Sequence, residues 1–298
     1  MTLVVAGDLM VDVVARVPGP LARGSDTPAR ITVGGGGSAA NVAAWAAWLG
    51  APVAFACRVG DDERGRLAVA ELRAAGVEVH ATVDPDRPTG TCVVLVEPEG
   101  ERTMLPDPGA TDGPPVVPGD MLVAGGTLHL TGYSLVRDGS RAGALALVER
   151  ARAAGMTVSI DPSSWALLAP GAMPAADLLL PNDREAEALT GIEDPERAAR
   201  SLAAGGGEVV VTLGSEGALW TDGDRLERVR AEAAEVVDTT GAGDAFAAGL
   251  LAARLAGAGP REALEVGCRM GALAVGWVGA RPVVDLTDES IGRGDRDA

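Results

Sequence analysis

Residues 238–246 of this 298-residue chain read Asp-Thr-Thr-Gly-Ala-Gly-Asp-Ala-Phe, a glycine-rich turn and a carboxylate where an alanine-rich helix begins. A helix N-terminus offers unpaired N–H groups and a positive dipole end, and glycines let a phosphate approach that backbone closely. A site that only holds phosphate would favour Arg or Lys at position 244. Asp244 instead suits a base that takes a proton from an attacking hydroxyl. A capped helix start, with Asp244 favourable at the dipole, accounts for the same residues without any chemistry.

Other segments offer complementary groups. The run Gly34-Gly35-Gly36-Gly37-Ser38-Ala39-Ala40-Asn41 precedes a second alanine-rich helix, so its amides and the Asn41 side chain can face a hydroxylated ligand. The same run satisfies G-x-G-x-x-A at 35–40, with Asp61 about 20 residues on, so a dinucleotide fingerprint is a rival reading. The first apolar run is followed by Gly7-Asp8-Leu9-Met10-Val11-Asp12, which lacks the glycine pattern of a nucleotide-binding first turn. Asp8 and Asp12 can accept hydrogen bonds from sugar hydroxyls, or simply end a strand. Asn182 and Glu185 have capping-box spacing, and the same two side chains can serve hydrated magnesium and phosphate. Thr212-Leu213-Gly214-Ser215-Glu216-Gly217 closes a β-branched run with two glycines, leaving room for a nucleotide beside the backbone. Cys268, Met270 and Gly271 can wall an adenine pocket or face the core.

These groups need a scaffold, and the chain has the means to build one. It is 47% hydrophobic and 22% charged, enough for a full core. A net charge of −17 argues against nucleic acid or an anionic membrane as the main partner. No lysine occurs, which removes lysine chemistry and a Walker A lysine. Cys57, Cys92 and Cys268 are too few and too scattered for a disulfide framework and read as small buried hydrophobes. The N-terminus lacks a basic n-region and no apolar run is long enough to span a bilayer, so a cytoplasmic protein is expected. Two histidines without clustered ligands make a structural zinc site an unpromising reading.

Short apolar runs at 3–6, 53–57, 127–130, 157–160, 178–180 and 209–213 alternate with helical patterns at 39–49, 65–75, 141–154, 183–189, 196–204, 242–255 and 261–277. That alternation predicts an α/β protein with a mostly parallel sheet and helices on both faces. Residues 11–33 and 89–104 break it and read as accessory strands of a small β lid inserted in a single domain spanning 1–298. The Pro/Gly/Asp-rich stretch 106–119 reads as a surface return, and the charged tail after Asp285 as frayed.

Together these segments resemble the ribokinase-like, or PfkB, family of carbohydrate kinases from about residue 3 to 284. The resemblance is carried by Gly36-Gly37-Ser38-Ala39-Ala40-Asn41 and Asp238-Thr239-Thr240-Gly241-Ala242-Gly243-Asp244. Gly60-Asp61-Asp62 with Gly65, Asn182-x-x-Glu185 and Thr212-Leu213-Gly214-Ser215 support it in family order. It implies a three-layer ribokinase-like fold and ATP-dependent phosphorylation of a primary hydroxyl on a sugar or sugar-like molecule. Asp244 would be the base and the amides of Gly241, Ala242 and Gly243 an anion hole. Asp12, Gly36, Gly37 and Asn41 would hold the sugar. Thr212, Gly214 and Gly217 would border ATP, with Cys268 beside the base, while Asn182 and Glu185 organise Mg²⁺, Glu185 through water. A potassium ion is implied at Asp238, Thr240 and Gly279, and a homodimer through the lid is the expected assembly.

Departures from the ribokinase pattern narrow the acceptor. Ser38 stands where ribokinases carry lysine, Met10 where they carry asparagine, and Thr131 where they carry glutamate, so ribose itself is not expected. Arg102 and Asp107, near the lid, are candidates to meet an acidic or phosphorylated sugar. A nucleoside kinase of the same family is the alternative, although the lid segments lack the Phe, Tyr or Trp of an aromatic clamp. Outside the kinases stand a nicotinamide-dependent oxidoreductase and a non-catalytic sugar sensor. Intact Asp244, Asn182 and Glu185 count against the sensor.

Overall fold

The structure is a computed structural model that describes residues 2–98 and 102–282, so the expected fraying after Asp285 lies outside the described residues. The chain begins with β1 (Leu3–Ala6), β2 (Met10–Arg16), β3 (Arg30–Gly36), α1 (Ser38–Trp48), β4 (Val53–Gly60), α2 (Glu63–Ala74) and β5 (Glu78–Asp84). Next come β6 (Gly90–Val96), β7 (Arg102–Asp107), β8 (Thr127–Thr131), α3 (Tyr133–Val136), α4 (Asp138–Ala153), β9 (Thr157–Asp161) and β10 (Leu178–Leu179). The last elements are α5 (Asp183–Thr190), α6 (Pro195–Ala203), β11 (Glu208–Thr212), β12 (Ala218–Thr221), β13 (Leu226–Val229), α7 (Ala242–Leu255) and α8 (Pro260–Ala274).

Nine strands form the main sheet in the order β13-β12-β11-β10-β9-β8-β1-β4-β5. Its pairs are parallel except at β11–β12 and β12–β13, a short hairpin that finishes one edge. The sheet is covered on both faces because strand side chains alternate. Leu3 and Val5 of β1 join Phe55, Trp45, Ala248 and Leu264 in one core, whereas Val4 and Ala6 join Leu130, Ile160, Leu147 and Ala199 in the other. Helices α1, α2, α7 and α8 therefore cover one face and α4, α5 and α6 the other. Small residues draw the covering helices close. A side chain at Gly267 would meet the Phe246 ring at 2.9 Å, and one at Gly249 would meet Met270 at 2.7 Å.

The two segments that interrupt the alternation build a separate sheet, β3-β2-β6-β7, in which β2 and β6 run parallel. Its strands extend beyond the expected limits, to Gly36 and Asp107, and residues between Arg16 and Arg30 are irregular. Met10, Cys92, Val94 and Val96 are buried on its inner face.

Three strands escaped the sequence pattern. Edge strand β5 is mixed in polarity and mostly half-buried, with no regular alternation, and β12 and β13 have four residues each, too short to show a period. Residues 106–119 are also not a simple surface return. Ala110 is fully buried and Val117 nearly so, with a tight helical turn at Gly109–Asp112 packed against the cores. The three cysteines are free and buried, as expected of small hydrophobes.

Candidate active site

Parallel strands end at one edge of the main sheet, and the loops leaving there meet the inner face of the small sheet around a cleft of ≈ 780 Å³. The turn before α7 makes its floor. Gly241 adopts φ +76° and a Cβ there would meet the Ala280 carbonyl oxygen at 2.5 Å, so only glycine fits. Trp45 Nε1 donates to that same carbonyl at 3.0 Å and its ring stacks on Trp277, which fixes the turn from behind. Gly241, Gly243 and Asp244 line the cleft; Ala242, the first residue of α7, does not.

Asp244 is held on both oxygens. Ser38 Oγ donates to Oδ1 at 2.7 Å and Asn41 Nδ2 to Oδ2 at 2.8 Å, which joins the two glycine-rich motifs across more than 200 residues. Burial raises its pKa to about 8 against the lowering effect of those two hydrogen bonds, with Asp161 and Asp8 adding repulsion. Asn41 is positioned in turn by Arg281, whose Nε donates to Asn41 Oδ1 at 3.1 Å while its other nitrogens reach Gly36 O and Glu71.

Asp12, Gly37 and Asn41 line the cleft as well, and the glycine at 36 has a specific cause. A Cβ on Gly36 would lie 2.1 Å from Asp12 Oδ1, so its absence makes room for that carboxylate. Burial raises Asp12 to about 6, a rise that Arg281 moderates and repulsion from Asp8 reinforces. Asp8 is structural: Ser38 N, Ala39 N and Thr131 Oγ1 all donate to it at 2.9–3.3 Å, capping α1. Gly35 and Gly36 end β3, which pairs antiparallel with β2 in the small sheet, and Gly37 caps α1, so the glycines do not form the turn leaving a strand of the parallel main sheet that a dinucleotide fingerprint requires.

At the far end, Asn182 and Glu185 form a true capping box, Asn182 N donating to Glu185 Oε2 at 2.9 Å and Glu185 N to Asn182 Oδ1 at 2.8 Å. Asn182 bridges to Thr212 across strand ends, and all three line the cleft. Asp161, at the end of β9, joins them. Burial pushes both Asp161 and Glu185 above the usual carboxylate range, with repulsion from Glu185 adding to the rise at Asp161 and repulsion from Asp183 to that at Glu185. Two buried acids at one end of the cleft fit a hydrated divalent cation, which would offset the cost of burying their charges.

Of the remaining predicted residues, only Thr240 lines the cleft. Gly214 lies in an open turn. Gly217, at φ +101°, is needed because a Cβ there would meet Val229 O at 2.0 Å. Cys268 packs in the core beside α7, its thiol raised to about 11 by burial. Asp238, Thr240 and Gly279 do cluster: Thr240 N and Oγ1 donate to Asp238 Oδ1 at 2.9 and 2.6 Å, and Gly279 N to Oδ2 at 3.1 Å. Yet Arg102 and Arg16 of the small sheet lie 3.6 and 3.7 Å from the same carboxylate. Gly279 thus turns an N–H toward Asp238 and two guanidinium groups balance its charge, so these residues do not fit a further cation there. No group of three or more His, Cys, Asp or Glu suited to a metal occurs among the described residues.

Sequence reasoning missed Asp161, Tyr133, Arg137 and Arg281. Asp161 had a readable signal, a carboxylate at the carboxyl end of a buried strand. The others had none, because their roles depend on neighbours distant in sequence.

The model of the pfkB family of carbohydrate kinases matches residues 1–286. The chain belongs to that family. It is therefore an ATP-dependent sugar kinase, and the mixed α/β fold agrees with it. A 2-dehydro-3-deoxygluconokinase of Thermoproteus tenax is 32% identical over 294 residues, covering 93% of this chain and 89% of the relative. An ATP-dependent ribose-1-phosphate kinase of Halopiger xanaduensis is 35% identical, covering 83% and 82%. The crystal structure of adenosine kinase from Sinorhizobium meliloti superimposes with a TM-score of 0.81 at 30% identity, covering 96% of each chain. None of the described helices is long and apolar enough to cross a membrane.

Proposed function

We propose that this kinase transfers the γ-phosphoryl group of ATP to a primary hydroxyl of a sugar-like acceptor, with Asp244 as the base. The observation that carries the reading is the pair of hydrogen bonds from Ser38 and Asn41 that fixes Asp244 at the floor of the cleft, beside the Gly241–Gly243 turn. Asp12, Asn41 and Gly37 hold the acceptor so that its hydroxyl meets Asp244. The proton passes to the carboxylate as the new O–P bond forms and the bond to the ADP oxygen breaks, while the amides of residues 241–243 face the charge on the transferred group. Asn182, Glu185 and Thr212 face the nucleotide phosphates from the opposite end, and Mg²⁺ held there through water supplies charge neutralisation. Gly214, Gly217 and Cys268 would form the border of the adenosine site, Gly214 and Gly217 from the turn after Thr212 and Cys268 from α8.

The small sheet acts as the lid. Its inner face lines the cleft through Met10, Cys92, Val94 and Met104, so a bound acceptor is shielded from water that would otherwise take the phosphoryl group. The names of these similar proteins span a deoxygluconate-type sugar, a sugar phosphate and a nucleoside, so family membership leaves the acceptor open. A nucleoside acceptor has one supporting observation here, the Tyr133 ring on the cleft wall, which is an aromatic surface outside the lid. Potassium at the Asp238 loop would have to compete with Arg102 for the carboxylate. The decisive experiment is Asp244→Asn. Turnover should fall by about 10²- to 10⁴-fold while MgATP still binds, and near-normal turnover would sink the assignment of the base.

A further inference from the structure

The arginines around the cleft are not equivalent. Arg102 is committed to the loop before α7, donating to Thr239 Oγ1 at 2.6 Å and to Thr240 Oγ1 and pairing with Asp238. Arg281 is committed to Asn41, Gly36 and Glu71. Arg137, at the junction of α3 and α4, is different. Among the described residues it is the only side chain with a fixed positive charge that lines the cleft. Its one hydrogen bond is a long one, from a terminal nitrogen to Thr111 Oγ1 at 3.3 Å, and no described carboxylate pairs with it. It is held in place instead by stacking, its guanidinium carbon 5.0 Å from the centre of the Tyr133 ring.

The acids of the cleft have their own donors. Asp8 accepts from two amides and a hydroxyl, Asp244 from Ser38 and Asn41, Asp161 from Ser163 N at 2.7 Å, and Glu185 from Asn182 N. Asp12 alone among them lacks one, and hydroxyl groups of an acceptor suit it. A guanidinium with most of its five N–H donors unused is the opposite kind of vacancy, one that a planar anion fills with paired hydrogen bonds. Arg137 and Tyr133 line the same cleft as Asp12 and Asp244, so the guanidinium is open to an acceptor bound there.

We propose that Arg137 is a specificity-determining residue that binds an anionic substituent, a carboxylate or a phosphate, on the phosphate acceptor. The proposal rests on the kinase reading and deepens it by naming the acceptor class. The structure also moves that role away from Arg102, whose donors are used elsewhere.

The test is kcat/KM for ATP consumption with matched acceptors: neutral pentoses and hexoses beside the sugar acids and sugar phosphates derived from them. The wild-type enzyme should favour an anionic member at least tenfold over its neutral counterpart. Arg137→Gln should cut that ratio by about 10- to 100-fold, chiefly through KM, since hydrogen bonds to charged groups carry effects of that size. Arg137→Lys should restore part of it, and a preference for carboxylates over phosphates, or the reverse, separates the two sources of charge. Preference of the wild type for a neutral acceptor overturns the proposal, as does an unchanged ratio in Arg137→Gln. Turnover of no anionic member overturns it too. If that enzyme also fails to bind MgATP, the kinase reading falls with it; if it binds MgATP, only the acceptor class does.

Discussion

At the scale of single residues, Asp244 carries the strongest pH consequence. Its raised pKa of about 8 means that the free site holds a proton that a base must first lose. We expect kcat/KM to climb with pH to a limb near 8, and Ser38→Ala, which deletes one hydrogen bond that favours the carboxylate, to move that limb upward. A flat profile between pH 6 and 9 would remove this account. Stability should respond with the opposite sense. Because the folded value stands above the ordinary 3.8, the unfolded chain ionises Asp244 from about pH 4 while the fold keeps the proton, so native stability drains away as pH rises from about 4 to 8. Asp244→Asn is uncharged in both states. Its melting temperature should exceed that of the wild type by a margin that grows across this window and levels off above pH 8, and a margin independent of pH would contradict the shift. The position of Asp244 was legible in the sequence because local glycines and the helix start announced it. Its orientation was not, since Ser38 and Asn41 approach from the other end of the chain, and Arg281, which aims Asn41, lies 240 residues from it.

At the scale of elements, the site depends on how the turn before α7 is held between α1 and the small sheet. Gly241 has both a left-handed φ and a carbonyl 2.5 Å from its missing Cβ, so Gly241→Ala should destabilise the fold by roughly 1–3 kcal/mol and disturb the amides of the turn. Chemical denaturation and turnover read the two effects separately; a variant with normal stability and rate would show that the turn tolerates displacement. The opposite side of the turn is tied to β7 through Arg102, which reaches Thr239, Thr240 and Asp238. Arg102→Ala should leave the Asp238 carboxylate short of positive charge and make turnover more responsive to K⁺ than it is in the wild type. Equal K⁺ dependence in both enzymes would mean that Arg102 does not stand in for a cation there. This linkage explains an uneven result of sequence reading. Long helices and buried parallel strands announce themselves by period, and α7 matched its expected limits, whereas β5, β12 and β13 are short or mixed in polarity and only their pairing makes them strands. Likewise the inserted segments were recognisable by what they lacked, a helical period, but nothing local revealed that Arg102 would cross to the loop before α7.

At the scale of the whole molecule, the small sheet has two faces, and among the described residues only one is accounted for. Met10, Cys92 and Val94 turn inward to the cleft. Strand register places Val33, Val13, Val93 and Leu105 side by side on the outer face, with Ile31 and Leu95 one step along it. Ile31 is 62% and Val33 69% exposed, and Leu105 54%, an apolar band that a monomer would leave in water. A second copy of the same sheet is a self-complementary cover, because a two-fold axis brings one such face onto its twin without leaving an open edge of the interface. We therefore expect a homodimer formed lid to lid. Light scattering at micromolar protein should give twice the mass of one chain, and Val33→Asp with Leu105→Asp should give the mass of one. The same pair should also lower the concentration dependence of the melting temperature, since association stabilises only the folded state. The inner face is untouched by these changes, so kcat should respond only as far as closure of the lid depends on its partner. A wild-type chain that remains monomeric at every concentration would leave the apolar band to some other role and separate lid closure from assembly.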